Sequence, residues 1–198
     1  VIPDESTRLA MLKRGEADIA YSLRGPLAEE VQRTSGLKLA PTLTAATFWL
    51  DFTAEQWDPK SPWHDQRVRL AASLAIDRKA INQAETLGFS KVSSTIIPAG
   101  YEFTWVPPAI PHDHQRAKQL LAEAGYPNGF DAGDYTCDVS YANLGEAVVN
   151  YLKAVGIRAR LRPLERAAFL SQWREKKLKN LVQGAAAASA VPPPESKT

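Results

Sequence analysis

A single cysteine, Cys137, stands among 198 residues. The chain therefore closes no internal disulfide on its own and has no CxxC pair with which to hold zinc. The expected place for that thiol is a packed position. Charge of one sign is also scarce: 24 Lys and Arg stand against 22 Asp and Glu, a formal net charge of +2. So small a balance leaves no electrostatic footprint for nucleic acid or for an anionic membrane surface. No apolar run approaches the ~18 residues of a membrane span. No initiating methionine or basic-then-apolar leader is visible, and the opening VIPDESTRLAML is expected to belong to a piece excised from something larger. The phosphate loops G-x-x-x-x-G-K-S/T and G-x-G-x-x-G are missing, as is the G-x-S-x-G elbow of serine hydrolases. No clustered acid, base or nucleophile suggests an enzyme, and no cofactor is implied.

What is present is an ordinary globular composition, 44% hydrophobic and 23% charged, and a length that suffices for one domain with a real core or at most two small ones. Three segments share one grammar of amphipathic helix, glycine stop and strand-like run. In STRLAMLKRGEADIAY (6–21), Asp4 or Ser6 caps, Leu9 and Leu12 face inward, and Gly15 supplies a left-handed C-terminal cap. In DHQRAKQLLAEAGYPNGF (113–130), Asp113 caps, Ala117, Leu120, Leu121 and Ala124 line one face, and Gly125 ends the helix. In NLGEAVVNYLKAVGIRARLRPLE (143–165), Leu144, Val148, Tyr151, Leu152 and Val155 face inward before Gly156. Alternation then sets Ile157, Ala159 and Leu161 against Arg158, Arg160 and Arg162 on a strand. Strands are also expected in 36–44, 46–53 and 180–184. A further helix over 165–179 is expected to bury Phe169, Leu170 and Trp173. Helices leading into strands build an α/β layer structure.

Within HDQRVRLAASLAIDRKAI (64–81), Val68, Ala71, Ala72, Ala75 and Ile76 form one helix face, and Asp77 reads as the N-cap of the next helix. His112 and His114 have H-x-H spacing, which on a strand would turn both rings to one side, as metal ligands require. The competing reading makes Asp113 a simple helix cap, and no metal site is assigned. Trp57, Trp63, Trp105, Tyr101 and Tyr141 have two readings as well. They line a concave ligand-binding surface, or they cover apolar patches beneath loops.

The string PWHDQRVRLAASLAIDRKAI resembles the P-F-x-D-x-x-V-R-x-A-x-x-x-A-I-D-R-x-x-I signature of the family-5 solute-binding proteins, the peptide- and nickel-binding subunits of ABC importers. STRLAMLKRGEADIAY is similar to the family's helix and G-E-x-D-I-A stretch. HDHQRAKQLLAEAGYPNGF is similar to its D-P-x-K-A-K-x-L-L-x-E-A-G-Y-x-x-G-F stretch. VVNYLKAVGIRARLRPLE is similar to its Q-x-x-L-x-x-I-G-I-x-V-x-L segment. The four occur in family order across residues 4–184.

The resemblance implies a lobe of the type II periplasmic-binding-protein kind, with a mixed sheet flanked by helices. On this reading residues 1–184 form most of the second lobe, and 185–198 are a flexible or artefactual Ala/Pro-rich tail. The implied function is capture of a peptide or other small polar solute between two lobes, for delivery to ABC permease subunits. The missing N-terminal lobe of the same polypeptide is a partner, and the place is periplasmic or extracellular and membrane-anchored. Ser140, Tyr141 and Asn143 match where relatives reach the ligand, with Trp105, Tyr101 and Trp63 as further contacts; Asn143 also reads as a helix cap. Two positions depart from the pattern, Asp51 for the usual Asn and Trp63 for the usual Phe. Beyond Gly184, AAAASAVPPP replaces the G-W-x-x-D-x-x-D/E-P stretch with which peptide-binding members hold the peptide amino terminus. A sensory or interaction module reusing the fold without transport is the alternative.

Overall fold

The computed structural model describes residues 2, 4–42, 46–97 and 104–187, the last two by their backbone alone. Within these there are seven α-helices: α1 (Glu5–Lys13), α2 (Gly25–Arg33), α3 (Gln66–Ala75), α4 (Arg78–Thr86), α5 (His114–Glu123), α6 (Ala142–Ala154) and α7 (Arg166–Arg174). Four strands accompany them: β1 (Ala46–Asp51), β2 (Phe130–Asp138), β3 (Ile157–Leu164) and β4 (Leu181–Ala187). The chain divides into two units, Val1–Leu43 with Arg78–Val92 and Thr44–Asp77 with Ser93–Thr198.

The first unit holds α1, α2 and α4. Asp4 starts α1 by accepting from Thr7 N at 2.7 Å, the expected cap, and Gly15 follows its end at φ +69°. Leu9, Ala28 and Val31 are buried, and ion pairs Lys13–Glu30 and Arg24–Glu5 add to the contact. The strand expected after Gly15 is absent. Ile19 and Tyr21 have the alternation but stand exposed, and Arg8 takes the Tyr21 and Ser22 carbonyls that a ladder would have used. Residues 37–42 likewise form no strand. Alternation supplies a face, but a strand also needs a paired neighbour.

The second unit is built on one sheet in the order β1-β4-β2-β3. β1 runs antiparallel to β4; β2 is parallel to both β3 and β4. This is the expected mixed sheet flanked by helices. The strand expected over 180–184 continues three residues further, into the segment expected to be tail; residues 188–198 lie outside the described part.

Both crossovers, β2–α6–β3 and β3–α7–β4, join parallel strands, and they run across the sheet in opposite directions. Right-handed crossovers in opposite directions put their helices on opposite faces. The side chains agree. A Cβ on Gly145 of α6 would meet Leu161, Cys137 and Tyr135 at 2.9–3.3 Å. Arg166 of α7 instead bonds Asp138, whose side chain leaves the other face of β2 from Cys137. On that second face Trp49 lies across Gly184 and meets Trp173 edge-on at 6.4 Å, with Phe169 behind. Leu170, expected inside, is exposed, because its turn of α7 faces away from the sheet.

The apolar face of α3, Val68, Ala71, Ala72 and Ala75, is fully buried, and α5 packs on α3 with Ala117, Leu120 and Leu121 inward. Asp113 caps α5 by accepting from Arg116 N at 2.8 Å, and its own N–H donates to Leu74 O. His114 Nε2 lies 3.0 Å from Ala75 O. The end of α3 is thus tied to the start of α5. His112 Nδ1 stands 3.4 Å from an Asp77 carboxylate oxygen. The H-x-H pair serves this junction, and among the described residues no group of three or more His, Cys, Asp or Glu is placed to hold a metal.

Candidate functional site at the carboxyl edge of the sheet

β2 and β3 are adjacent and parallel, and their carboxyl ends, Asp138 and Leu164, are register partners. From here the chain departs to α6 on one face and to α7 on the other. Such a switch point opens a crevice beyond the strand ends, where ligands of open α/β sheets bind. The turn 139–141 leads out of β2, and Glu165 alone separates β3 from α7.

Three of the residues expected at a ligand meet on this edge. Ser140 and Asn143 are exposed, and Tyr141 is half-buried with its ring 4.8 Å from Phe48 in an edge-on contact. Phe48 belongs to β1, whose antiparallel course brings its amino end to the same edge. The pair places two aromatic rings in contact at this edge. Asn143 is the second residue of α6, so it does not act as the cap; Tyr141 occupies that position without a side-chain bond to the first turn. Glu165 likewise precedes α7 without capping it. Both helices direct the positive ends of their dipoles to this edge.

The remaining expected residues lie elsewhere. Trp63 is a core residue, 2% exposed, packed against Phe52 at 4.8 Å and Phe130 at 5.2 Å. Phe130 opens β2, eight residues and about 25 Å from Asp138 at the usual rise per residue. A large apolar ring between two others is removed from water, so Trp63 stands in the core and away from the carboxyl edge. Trp105 is 75% exposed on a loop whose two halves are tied by the Ser94 hydroxyl donating to Pro107 O. Tyr101 lies outside the described residues.

The sequence reading passed over Asp138 and Arg166. Asp138 is buried, with its side chain 6% exposed; one oxygen accepts from Ser140 N at 2.9 Å and the other from Arg166 Nη1 at 2.8 Å. The visible signal was an Asp at the strand end, two residues before a polar turn, a motif that holds its own backbone. Its partner 28 positions away left no local trace. Next to it, burial and the nearby Asp138 carboxylate push the Cys137 thiol up to about 11, so it stays protonated near neutral pH.

The sequence model of the family described as bacterial extracellular solute-binding proteins, family 5 Middle, matches residues 1–197. The glutathione-binding protein GsiB of Escherichia coli (strain K12) is 28% identical over 129 residues, 65% of this chain and 24% of that protein. Among solved structures, the periplasmic binding protein DppA from Helicobacter pylori, in complex with peptide STSA, superposes with a TM-score of 0.80 at 23% identity, covering 98% of this chain and 37% of its own. The dipeptide binding protein from Pseudoalteromonas sp. SM9913, in complex with Met-Leu, gives 0.79 at 24% identity, covering 98% and 38%. The fold is that of these type II periplasmic binding proteins, and the chain spans about a quarter of the curated relative and under two-fifths of either solved one.

Proposed function

Because the chain belongs to the family-5 bacterial extracellular solute-binding proteins, we propose that it forms the second lobe of a two-lobed receptor. The receptor captures a peptide or another small polar solute outside the cytoplasm and hands it to an ABC permease. The family match over residues 1–197 carries this reading. Support comes from the named ligands of similar proteins, glutathione for GsiB and short peptides for the two solved structures. The crevice at the ends of β2 and β3 is where this lobe meets the solute, with Tyr141 and Phe48 as apolar wall and Ser140 and Asn143 as polar contacts. Trp105 and Tyr101, on the loop before α5, are the second-rank contacts.

The event is binding without covalent chemistry. Its support is that the family and its solved relatives are described as binding proteins, and that the thiol nearest the crevice is buried and protonated.

Titration of the whole polypeptide with glutathione, di- to tetrapeptides, sugars and metal chelates tests the reading. Saturable binding of one solute class is expected, and a flat titration for all of them overturns the receptor role. With the bound solute in hand, Tyr141→Ala should weaken affinity by more than about 1 kcal/mol. Unchanged affinity in that variant removes Tyr141 from the site.

A further inference from the structure

We propose that Asn128 is a site of spontaneous deamidation, that the folded turn around it holds the reaction back, and that its isoaspartyl product cannot close that turn again. Of the chain's asparagines it is the one followed by glycine. Glycine has no Cβ to shield its amide nitrogen. The Gly129 nitrogen gives up its proton and attacks the carbonyl carbon of the Asn128 side chain. The bond from that carbon to the side-chain nitrogen breaks, and the group leaves with the proton as ammonia. Water then opens the resulting succinimide ring at one of its two carbonyls. One opening leaves aspartate; the other leaves isoaspartate, with the main chain rerouted through Cβ and Cγ.

Asn128 is exposed between α5 and β2, so water reaches it. Its turn nonetheless blocks the attack. Pro127 and Asn128 are the central residues of a turn closed by the Gly129 N–H, which donates to Tyr126 O at 2.9 Å. The attacking nitrogen is thus committed to a hydrogen bond. Its surroundings are held as well. Phe130 N donates to Gly156 O at 3.1 Å, and Arg158 Nη1 donates to the Asn128 and Gly156 carbonyls at 3.2 and 3.4 Å. The reaction therefore needs the turn to open, and its rate falls with the free energy of that opening.

The product meets a second constraint. A Cβ on Gly129, at φ +69°, would stand 1.9 Å from Gly156 O, and one on Gly156 would stand 3.1 Å from Gly129 Cα. An isoaspartyl link lengthens the main chain by one atom just before this contact, where the two backbones leave no slack. The Gly129 bond to Tyr126 and the Phe130 bond to Gly156 then cannot both form, and β2 and β3 lose their first register pair, Phe130 with Ile157. Ordinary aspartate at 128 adds charge but no length, and the Arg158 guanidinium already lies at that residue's carbonyl.

The test incubates the whole polypeptide at pH 8, folded and in urea, and follows the peptide carrying residue 128 by mass spectrometry for the amide-to-acid shift. Conversion at Asn128 should run at least about tenfold slower in the folded protein than in urea. No conversion in urea, or equal rates in the two, overturns the proposal. Protein converted in urea is then returned to native buffer, and its isoaspartyl fraction is isolated by chromatography. That fraction should fail to refold or unfold at a lower urea midpoint than wild type, whereas Asn128→Asp should keep the wild-type midpoint. A wild-type midpoint for the isoaspartyl fraction, or an equal loss in Asn128→Asp, overturns the backbone constraint.

Discussion

At the scale of single residues, two glycines of the sheet layer show how close packing is decided by what sits opposite. A Cβ on Gly184 would lie 2.2 Å from Trp49 Cε2, a rigid ring already held against Trp173. Gly184→Ala should therefore cost about 1–3 kcal/mol, read as a lower urea midpoint with a change in tryptophan emission. Gly145 differs. Its nearest obstacle is Leu161 Cδ1 at 2.9 Å, the far end of a flexible side chain, and alanine in a helix gains up to about 1 kcal/mol over glycine. Gly145→Ala should thus stay within about 1 kcal/mol of wild type, whereas Gly145→Val should lose about 1–3 kcal/mol in the same titration. Neither glycine was legible as a packing position, because the ring or methyl that fills its place comes from a strand elsewhere in the chain. Cys137 was legible. A lone cysteine in an apolar alternation reads as core, and it is fully buried. Its reaction with a thiol reagent at pH 8 should follow global unfolding; fast labelling of the folded protein would contradict its burial and raised pKa.

At the scale of elements, the sequence speaks most clearly where a helix begins or ends. Asp4, Asp113, Gly15, Gly125 and Gly156 all take the cap or stop positions their spacing announced, because capping is settled within four residues. Asp113→Ala should lower stability by about 1 kcal/mol in thermal or urea unfolding. Asp65, the cap of α3, has a carboxyl held below the usual carboxylate range, first by the Arg67 side chain and then by the Arg67 N–H. A carboxyl lowered in the folded state stabilises above its unfolded pKa, near 4, and that stability fades as pH falls through the lower folded value. Asp65→Asn should flatten the acid limb of a stability–pH curve below pH 4 and change the curve least at pH 2; an unchanged slope would refute the assignment. The elements misread were those fixed from afar. The runs at 16–21 and 36–42 alternate correctly but have no ladder, and Leu170 follows a helix period whose phase the sheet sets.

At the scale of the whole molecule, the proposed receptor makes the crevice one wall of its site, and ligand-driven closure needs contacts from both sides of it. This chain alone should bind any solute of the intact receptor at least tenfold more weakly in calorimetry; equal affinity would show a self-sufficient pocket. The site itself was half legible. Ser140, Tyr141 and Asn143 follow a strand that the sequence marks, whereas Asp138 and Arg166 meet only because β2 and β3 lie side by side. Strand order has a consequence in time. β4, encoded last of the four, lies between β1 and β2, and among the described residues no other strand bridges them. While the ribosome is still short of residue 181, β1 has no ladder to join, and its aromatic rings, one on each face, stay open to chance partners. The nascent second unit therefore waits for β4 before these four strands can close, and a chaperone that shelters Phe48 and Trp49 in the meantime should raise the yield of folded protein.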